Sequence, residues 1–304
     1  MQTTWMKITE TIHTFKHSFR LALEENQYVD RFVYSYILLG ENVCLIDTGV
    51  RGTAPLLQDY LKQINRSPGE ISMVALTHAH PDHIGGCLAI KKASSASFCA
   101  HHADKPWIED VEKQYQERPI LNFFELVEGP VPVSRELKEG DTLLWEKGKT
   151  IRVLETPGHS LGSISLFLEE EGTLFTGDAV PAAGTIPIYV DPRVSVQSIQ
   201  KLKKVSGVKY LFSSWHEPIS GNQINTTMDE GIRYIEKIDE IVIDLIKTLP
   251  PETSAEELSL RALERLGVKT SKVLPMVRTS FESHRPSLPS SPLKGEDAGG
   301  GGGR

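Results

Sequence analysis

Polar and apolar residues alternate in short runs from residue 8 to residue 39, the period of two that strands show. The last of these runs, Phe32-Val33-Tyr34-Ser35-Tyr36-Ile37-Leu38-Leu39, stops at Gly40-Glu41-Asn42, and Val43-Cys44-Leu45-Ile46 follows. This is a strand, a hairpin turn and a return strand. Residues 53 to 65 read as a helix that ends at Asn65-Arg66-Ser67-Pro68-Gly69. A buried strand, Ser72 to Leu76, comes next, then a helix over Gly85 to Lys92 and a strand over Ala96 to Ala100. A helix from Lys105 to Gln116 leads into residues 118 to 137, a Pro-containing stretch without a period, of the kind that often forms lids or binding loops. Strands return at Thr142 to Trp145, Thr150 to Leu154, Ile164 to Leu168, Thr173 to Thr176 and Val208 to Phe212.

The pattern then turns helical. Met228, Ile232, Ile235, Ile238, Val242 and Leu245 make an apolar stripe, which predicts a packed helix over residues 226 to 247. Ser254-Ala255-Glu256-Glu257 resembles a capping box opening a second helix that stops near Gly267. A third spans Ser271 to Ser283, with Pro275 in its first turn. From Arg285 the chain is rich in Pro, Ser and Gly and cannot bury enough apolar area to order. The reading is a domain over residues 1–222, a helical extension over 223–285 and a tail over 286–304.

Composition narrows the class. The 304 residues are 39% hydrophobic and 24% charged, an ordinary balance for a soluble chain. A formal net charge of -7 argues against nucleic acid, whose phosphates need a basic footprint. No apolar run reaches the roughly twenty residues a membrane span requires, and Met1 to Glu10 carry no signal pattern, so a cytoplasmic protein without a membrane partner is expected. Cys44, Cys87 and Cys99 lie in apolar patterns and read as buried thiols.

The chemistry concentrates at strand ends. Thr77-His78-Ala79-His80-Pro81-Asp82-His83-Ile84-Gly85-Gly86 places three His and one Asp within six positions, just past a strand, where open α/β sheets set their sites. Neutral imidazoles and a carboxylate suit zinc, iron or manganese. His78 and His80, two apart in extended chain, face the same way and can share an ion, while Asp82 and His83 follow a Pro turn and reach a second. His159, in Thr156-Pro157-Gly158-His159-Ser160, sits among small residues past a strand; alone it reads as structural. Asp178, in Gly177-Asp178-Ala179, alone reads as a turn residue. His216 follows the last strand in Ser213-Ser214-Trp215-His216. Four successive strands each end in a His or Asp, and strand ends of one sheet converge. Asp47, after Ile46, either caps the helix of residues 53 to 65 or orients a metal-binding His. His101, His102, His13, His17 and His284 have no other donor types beside them and read as exposed.

Seven candidate ligands result: His78, His80, Asp82, His83, His159, Asp178 and His216. One tetrahedral ion takes four donors, so seven fit two ions better than one, with the two oxygens of Asp178 as the natural bridge. Bound water then ionises near neutrality, its pKa brought from 15.7 to about 7.

His-x-His-x-Asp-His, a Gly-His, a Gly-Asp and a final His, over residues 47 to 216, resemble the metallo-β-lactamase fold superfamily. The resemblance implies an α/β fold, an αβ/βα four-layer sandwich with the metals at one edge. It implies His78, His80 and His159 on the first ion, Asp82, His83 and His216 on the second, Asp178 bridging, and Asp47 acting from behind the ligands. It further implies two divalent ions, zinc first among them, and a metal-bridging hydroxide that cleaves an ester, thioester, lactone or phosphoester, with Asp82 or Asp178 orienting the nucleophile and passing the proton. Asp178 argues against true β-lactamases of this fold, which lack it. Glyoxalase II enzymes carry Gly-Cys-Gly-Arg after that Asp, whereas this chain has Ala179-Val180-Pro181-Ala182-Ala183-Gly184-Thr185-Ile186-Pro187. Lactonases of the fold place a Tyr where Pro181 stands, and Tyr189 is the candidate substitute, with nothing in the sequence that brings it to the site. The alternative activity is that of the fold's mononuclear iron dioxygenases, acting on a sulfur compound. The expected partner is a small-molecule substrate, and the extension fits capping of the metal site, homodimerisation or partner binding. Because all seven ligands precede the extension, metal binding is expected to survive its removal.

Overall fold

In the computed structural model, residues 2–24, 27–186, 188–268 and 273–284 are described; the tail and Ser271, where the third extension helix is expected to open, lie outside them. Seven strands form the first sheet in chain order: β1 (Gln2–Lys7), β2 (Ile12–Glu24), β3 (Gln27–Leu39), β4 (Val43–Ile46), β5 (Ile71–Ala75), β6 (Ser97–His101) and β7 (Arg135–Leu137). The first four pair antiparallel and the rest parallel. Six form the second: β8 (Thr142–Glu146), β9 (Lys149–Glu155), β10 (Ile164–Leu168), β11 (Thr173–Gly177), β12 (Tyr210–Ser213) and β13 (Ile219–Ser220), in the order β13-β12-β11-β10-β9-β8.

Alternation along the strands builds two cores. Cys44 and Ile46 of β4 join Tyr36, Ala75, Val153, Leu166, Phe175 and Phe212 in the layer between the sheets. Val43 and Leu45, one residue out of phase, face the other way into the helix-covered core. A strand covered on both faces reads as an unbroken apolar run, which is why Val43 to Ile46 shows no polar position. Helices α1 (Ala54–Gln63), α2 (Pro81–Ile84), α3 (Cys87–Ala93), α4 (Lys105–Glu109), α5 (Val111–Glu117) and α6 (Phe123–Leu126) follow strands of the first sheet. Helices α7 (Pro192–Leu202), α8 (Gln223–Thr248), α9 (Ala255–Arg265) and α10 (Pro275–Glu282) complete the chain. The result is the four-layer αβ/βα sandwich with C-terminal helices.

Several expectations change. The helix expected over Lys105 to Gln116 is two, because Asp110 leaves the helical region at φ -145 and caps α5 by accepting from the Lys113 amide at 2.9 Å. Residues 118 to 137 are pinned rather than free. Val127, Val131 and Val133 are buried, and the Glu128 amide donates to the Gly85 carbonyl at 3.1 Å. Helix α7 had no counterpart in the pattern reading, although Asp191 before Pro192 is a cap followed by an N1 proline, and its side chain accepts from Val194 at 2.9 Å. The extension shares the sandwich's core: Ile235, Ile238, Val242, Leu258, Val277 and Phe281 belong to one cluster with Leu174, Val180 and Leu211. The three cysteines are free and buried, as their apolar patterns imply, and burial pushes the Cys99 thiol up to about 11.

Four histidines expected at the surface are buried. His17 lies between Thr3 Oγ1 at 2.9 Å and Ser35 Oγ at 2.8 Å, His13 meets the Tyr60 hydroxyl, and His101 Nε2 faces Glu155 Oε1 at 3.1 Å. His284 sits between Tyr189 Oη at 2.8 Å and Asp239 Oδ1 at 2.7 Å. Each found a partner far away in sequence, so neighbouring residues gave no warning. His102 alone of that group is exposed.

Candidate metal centre

The donors do not come from strand ends of one sheet. Asp47 and the His78 loop follow β4 and β5 of the first sheet, whereas His159 and Asp178 follow β9 and β11 of the second. The sheets touch at this edge, where the Ile164 amide donates to the Thr77 carbonyl at 2.9 Å. Gly177 makes the approach possible. Its φ is +50, and a Cβ there would lie 2.6 Å from Thr77 Oγ1, so only glycine lets Asp178 come this close.

Local chain geometry aims each ring. His80 is extended (φ -64, ψ 147) and Pro81 opens α2 behind it, so His78 and His80 stand two apart on extended backbone. One helical turn brings His83 back, its amide donating to the His80 carbonyl at 2.9 Å. One ligand atom each from His78, His80, His159 and Asp178 lies within 4.8 Å of all the others. His80 Nδ1 is 3.0 Å from His78 Nε2 and 2.8 Å from His159 Nε2, and Asp178 Oδ2 is 3.2 Å from His159 Nε2 and 3.9 Å from His78 Nε2. A tetrahedral ion with bonds of about 2.0–2.1 Å needs donors about 3.4 Å apart, and the separations of 2.8 to 3.9 Å lie on either side of that value.

The protonation states fit as well. Burial, followed by neighbouring positive groups, holds His78 and His80 well below the ordinary imidazole value. Burial also pushes His159 down to about 4 in spite of Asp178 beside it. Neutral rings keep a lone pair for an ion. That of His159 is left on Nε2, because Nδ1 donates to the Ile188 carbonyl at 2.6 Å.

A second group adjoins the first. His83 Nε2 and Asp178 Oδ1 are buried and face each other at 3.2 Å, and neither atom has a hydrogen-bond partner elsewhere among the described residues. Buried polar atoms left this way are uncommon, and an ion between them would satisfy both. The other oxygen of Asp178 faces the first group, so its carboxylate spans the two. Burial opposes a charge on His83, but Asp178 and Asp47 on either side outweigh it and raise its pKa. Asp178 is lowered despite burial, by His83 and His159. Asp82 lines the cleft above, and burial raises it, with Asp178 adding to the effect.

His216 is not gathered into the four-donor group. Its ring is partly buried, with Nδ1 3.3 Å from Ser213 Oγ, and the residue of that turn which lines the cleft is Trp215. Tyr189 does not line the cleft over the donors either; its hydroxyl is engaged by His284. Asp47 is settled against capping: α1 is entered from Thr53, while Asp47 accepts from the Thr77 amide at 2.8 Å, Thr77 Oγ1 at 2.7 Å and His83 Nδ1 at 2.8 Å.

Two supports were invisible in sequence. Buried Asp104 accepts from the Ala79 amide at 2.7 Å and holds Ser160 Oγ at 3.5 Å, joining the His78 loop to the His159 loop. Gln114 Nε2 donates to the Ala79 carbonyl at 2.6 Å. An acidic residue before a helix is too common a feature to have flagged Asp104.

The cleft over these donors has a cavity volume of about 50 Å³. Phe19, Leu21, Ile120, Leu126, Trp215 and Met276 supply apolar wall, and Arg31 and Arg118 join Asp82 and Asp178 as its charged groups.

A model of the metallo-beta-lactamase superfamily matches residues 28–270, and the chain belongs to that superfamily. The hydroxyacylglutathione hydrolase of Hyphomonas neptunium is 29% identical over 190 residues, 59% of this chain and 64% of that protein. A beta-lactamase-like protein 2 homolog of Caenorhabditis elegans is 24% identical over 223 residues, 73% of this chain and 68% of that one. Among solved structures, a metallo-beta-lactamase family protein of Thermus thermophilus has a TM-score of 0.67 at 22% identity and covers 88% of this chain and 91% of its own. At that identity the likeness shows the fold. The family match crosses residue 222, in keeping with helices that share the sandwich core.

Proposed function

We propose that the protein is a hydrolase that uses two divalent ions, zinc first among them, to cleave an ester or thioester of a small molecule. The observation that carries the reading is the carboxylate of Asp178, which turns one oxygen to His78 and His159 and the other to His83. In this reading His78, His80 and His159 hold one ion, His83 and Asp82 hold the other, and Asp178 holds both. Ions there would bring the pKa of water from 15.7 to about 7 and polarise the carbonyl under attack.

The chain's own residues do the rest. Asp82 at the cleft wall orients the attacking oxygen, takes its proton and returns it to the departing oxygen or sulfur. Phe19, Leu21, Ile120 and Trp215 exclude water, so charges in the cleft act through a low dielectric. A thioester is favoured by the hydroxyacylglutathione hydrolases among the relatives, but the segment Ala179 to Pro187 departs from the Gly-Cys-Gly-Arg expected of glutathione enzymes. His216 enters as a ligand of the second ion only if its ring leaves Ser213.

The position of His216 also supports a second reading, a mononuclear iron dioxygenase acting on a sulfur compound, because the four gathered donors suffice for one ion. A screen over ester, thioester, lactone and phosphodiester substrates with zinc, manganese or iron separates the two. Turnover of an ester or thioester with zinc, lost by at least about a hundredfold in Asp82→Asn, supports the hydrolase. Oxygen consumption with iron and a thiol, without hydrolysis under any loading, replaces it with the dioxygenase.

A further inference from the structure

Two arginines enter the cleft over the donors, and the hydrolytic step uses neither. Arg31 stands on β3 opposite Phe19 of β2. Cross-strand partners share a face of the sheet, and both line the cleft. Arg118 ends α5. Pro119 disfavours helix at the residue before it, so the chain opens at Arg118 to φ -140 and ψ 73 and the side chain reaches the same cleft. Gln114, one turn earlier, is bonded to Ala79 between His78 and His80, so the placement of Arg118 is tied to the donors themselves.

Neither guanidinium has an oxygen to bind among the described residues. Arg118 Nη2 donates to Met276 Sδ at 3.6 Å, and a thioether is a weak acceptor for a group with five N–H donors. Arg31 feels Asp82 and Asp178 only through space, and burial disfavours its charge and that of Arg118 alike. Asp82 and Asp178 are the two carboxylates that line the cleft, and in the proposed reading both hold the ions. With divalent ions on those carboxylates, the apolar walls enclose an excess of positive charge. A neutral substrate would cover two guanidinium groups and leave them without a counter-ion, which is costly. An oxyanion on the substrate removes that cost and matches the planar fork of arginine.

We infer that the substrate carries an oxyanion, a carboxylate or a phosphate, which Arg31 and Arg118 grip while its apolar part lies along Phe19, Leu21, Ile120 and Trp215. The inference rests on the hydrolytic reading for the place of the scissile bond, but the oxyanion site binds whether or not turnover follows. It names the substrate class: anionic acyl compounds with a short apolar body.

Calorimetry on zinc-loaded protein tests it with three matched amides that resist hydrolysis: N-phenylbutanamide, which is neutral, N-phenylsuccinamate, and its phosphonate analogue. Charge-assisted bonds of this kind correspond to about 10–100-fold in affinity. We expect the two anions to bind tighter than the neutral amide by that factor. Arg31→Gln and Arg118→Gln each remove most of the preference, Arg118→Lys retains part of it, and neutral binding and zinc content hold in all three variants. Equal affinity of the three amides overturns the inference. So does a loss of zinc in Arg118→Gln that weakens all three alike, since Arg118 would then serve only as a counter-charge to Asp82. Anion preference without turnover of any ester would remove the hydrolase and leave the oxyanion site standing.

Discussion

Asp47 occupies the left-handed region at φ 55, a conformation that costs a non-glycine residue of order 1–3 kcal/mol. The carboxylate recovers it in three bonds, two to Thr77 and one to His83 Nδ1, which leaves His83 Nε2 facing Asp178. Asp47→Ala should therefore weaken metal binding by about 10–100-fold, as loss of such orienting carboxylates commonly does. Chelator competition measures it, and unchanged affinity would show that the ring holds its place unaided. His17 makes a different prediction. Burial pushes it down to about 3 in the folded state, against about 6.5 when unfolded, so the unfolded chain binds the extra proton. The stability that neutral His17 contributes is complete above pH 6.5 and is lost as pH falls toward 3, at up to about 1.4 kcal/mol per pH unit. Urea midpoints from pH 7.5 to 5 should fall less steeply in His17→Gln than in the parent; parallel profiles would remove His17 as the cause. The density of donors in His78 to His83 was legible because those residues are neighbours in sequence. The burial of His17 and the roles of Asp104 and Arg118 were not, because each depends on a contact made across the fold.

Among elements, α10 changes the expectation most. The Tyr189 amide donates to Ser280 Oγ of α10 at 2.9 Å, and the Tyr189 hydroxyl meets His284 just past its end. Residue 188, adjacent, carries the carbonyl that fixes His159. The extension thus reaches the metal centre through one loop, and its helices bury Ile235, Ile238, Val242 and Phe281 in the core they share with the sandwich. All seven candidate ligands precede the extension, but ligand order along the chain says nothing of what holds the ligands still. In the full chain, Ser280→Ala should weaken zinc affinity by about tenfold through a loosened His159, with little change in melting temperature. A loss of melting temperature at unchanged zinc affinity would assign Ser280 to stability alone. Helix α7 carries a weak sequence signal for a simpler reason: its apolar positions, Val196, Ile199 and Leu202, make a short stripe between long loops, and only Asp191-Pro192 marks its start.

At the scale of the whole molecule, two sheets pack face to face, and the loops at their strand ends meet along one edge of the sandwich so that donors from both converge on one point. Alternation in the strands showed that sheets exist and that Val43 to Ile46 is covered on both faces. It did not show that Asp47 and Asp178 come from different sheets, since partner choice among strands is set by packing across the layers. The strand-end pattern nevertheless singled out His78, His80, His159 and Asp178, whose ligand atoms the structure brings within 4.8 Å of one another, because a chain that crosses a sheet repeatedly returns to the same edge. Among the described residues no helix is long and apolar enough to cross a membrane.

Metal dependence of hydrolysis is the central claim, and a zinc titration of chelator-stripped protein tests it most directly. Hydrolysis of a responsive ester or thioester should be absent from the stripped protein, return as zinc is added, and level off at about two equivalents per chain, two ions being what a carboxylate shared between two donor groups serves. His80→Ala should not recover under the same titration. A stripped protein that hydrolyses as fast as the loaded one, or a His80→Ala variant that recovers fully, would contradict it.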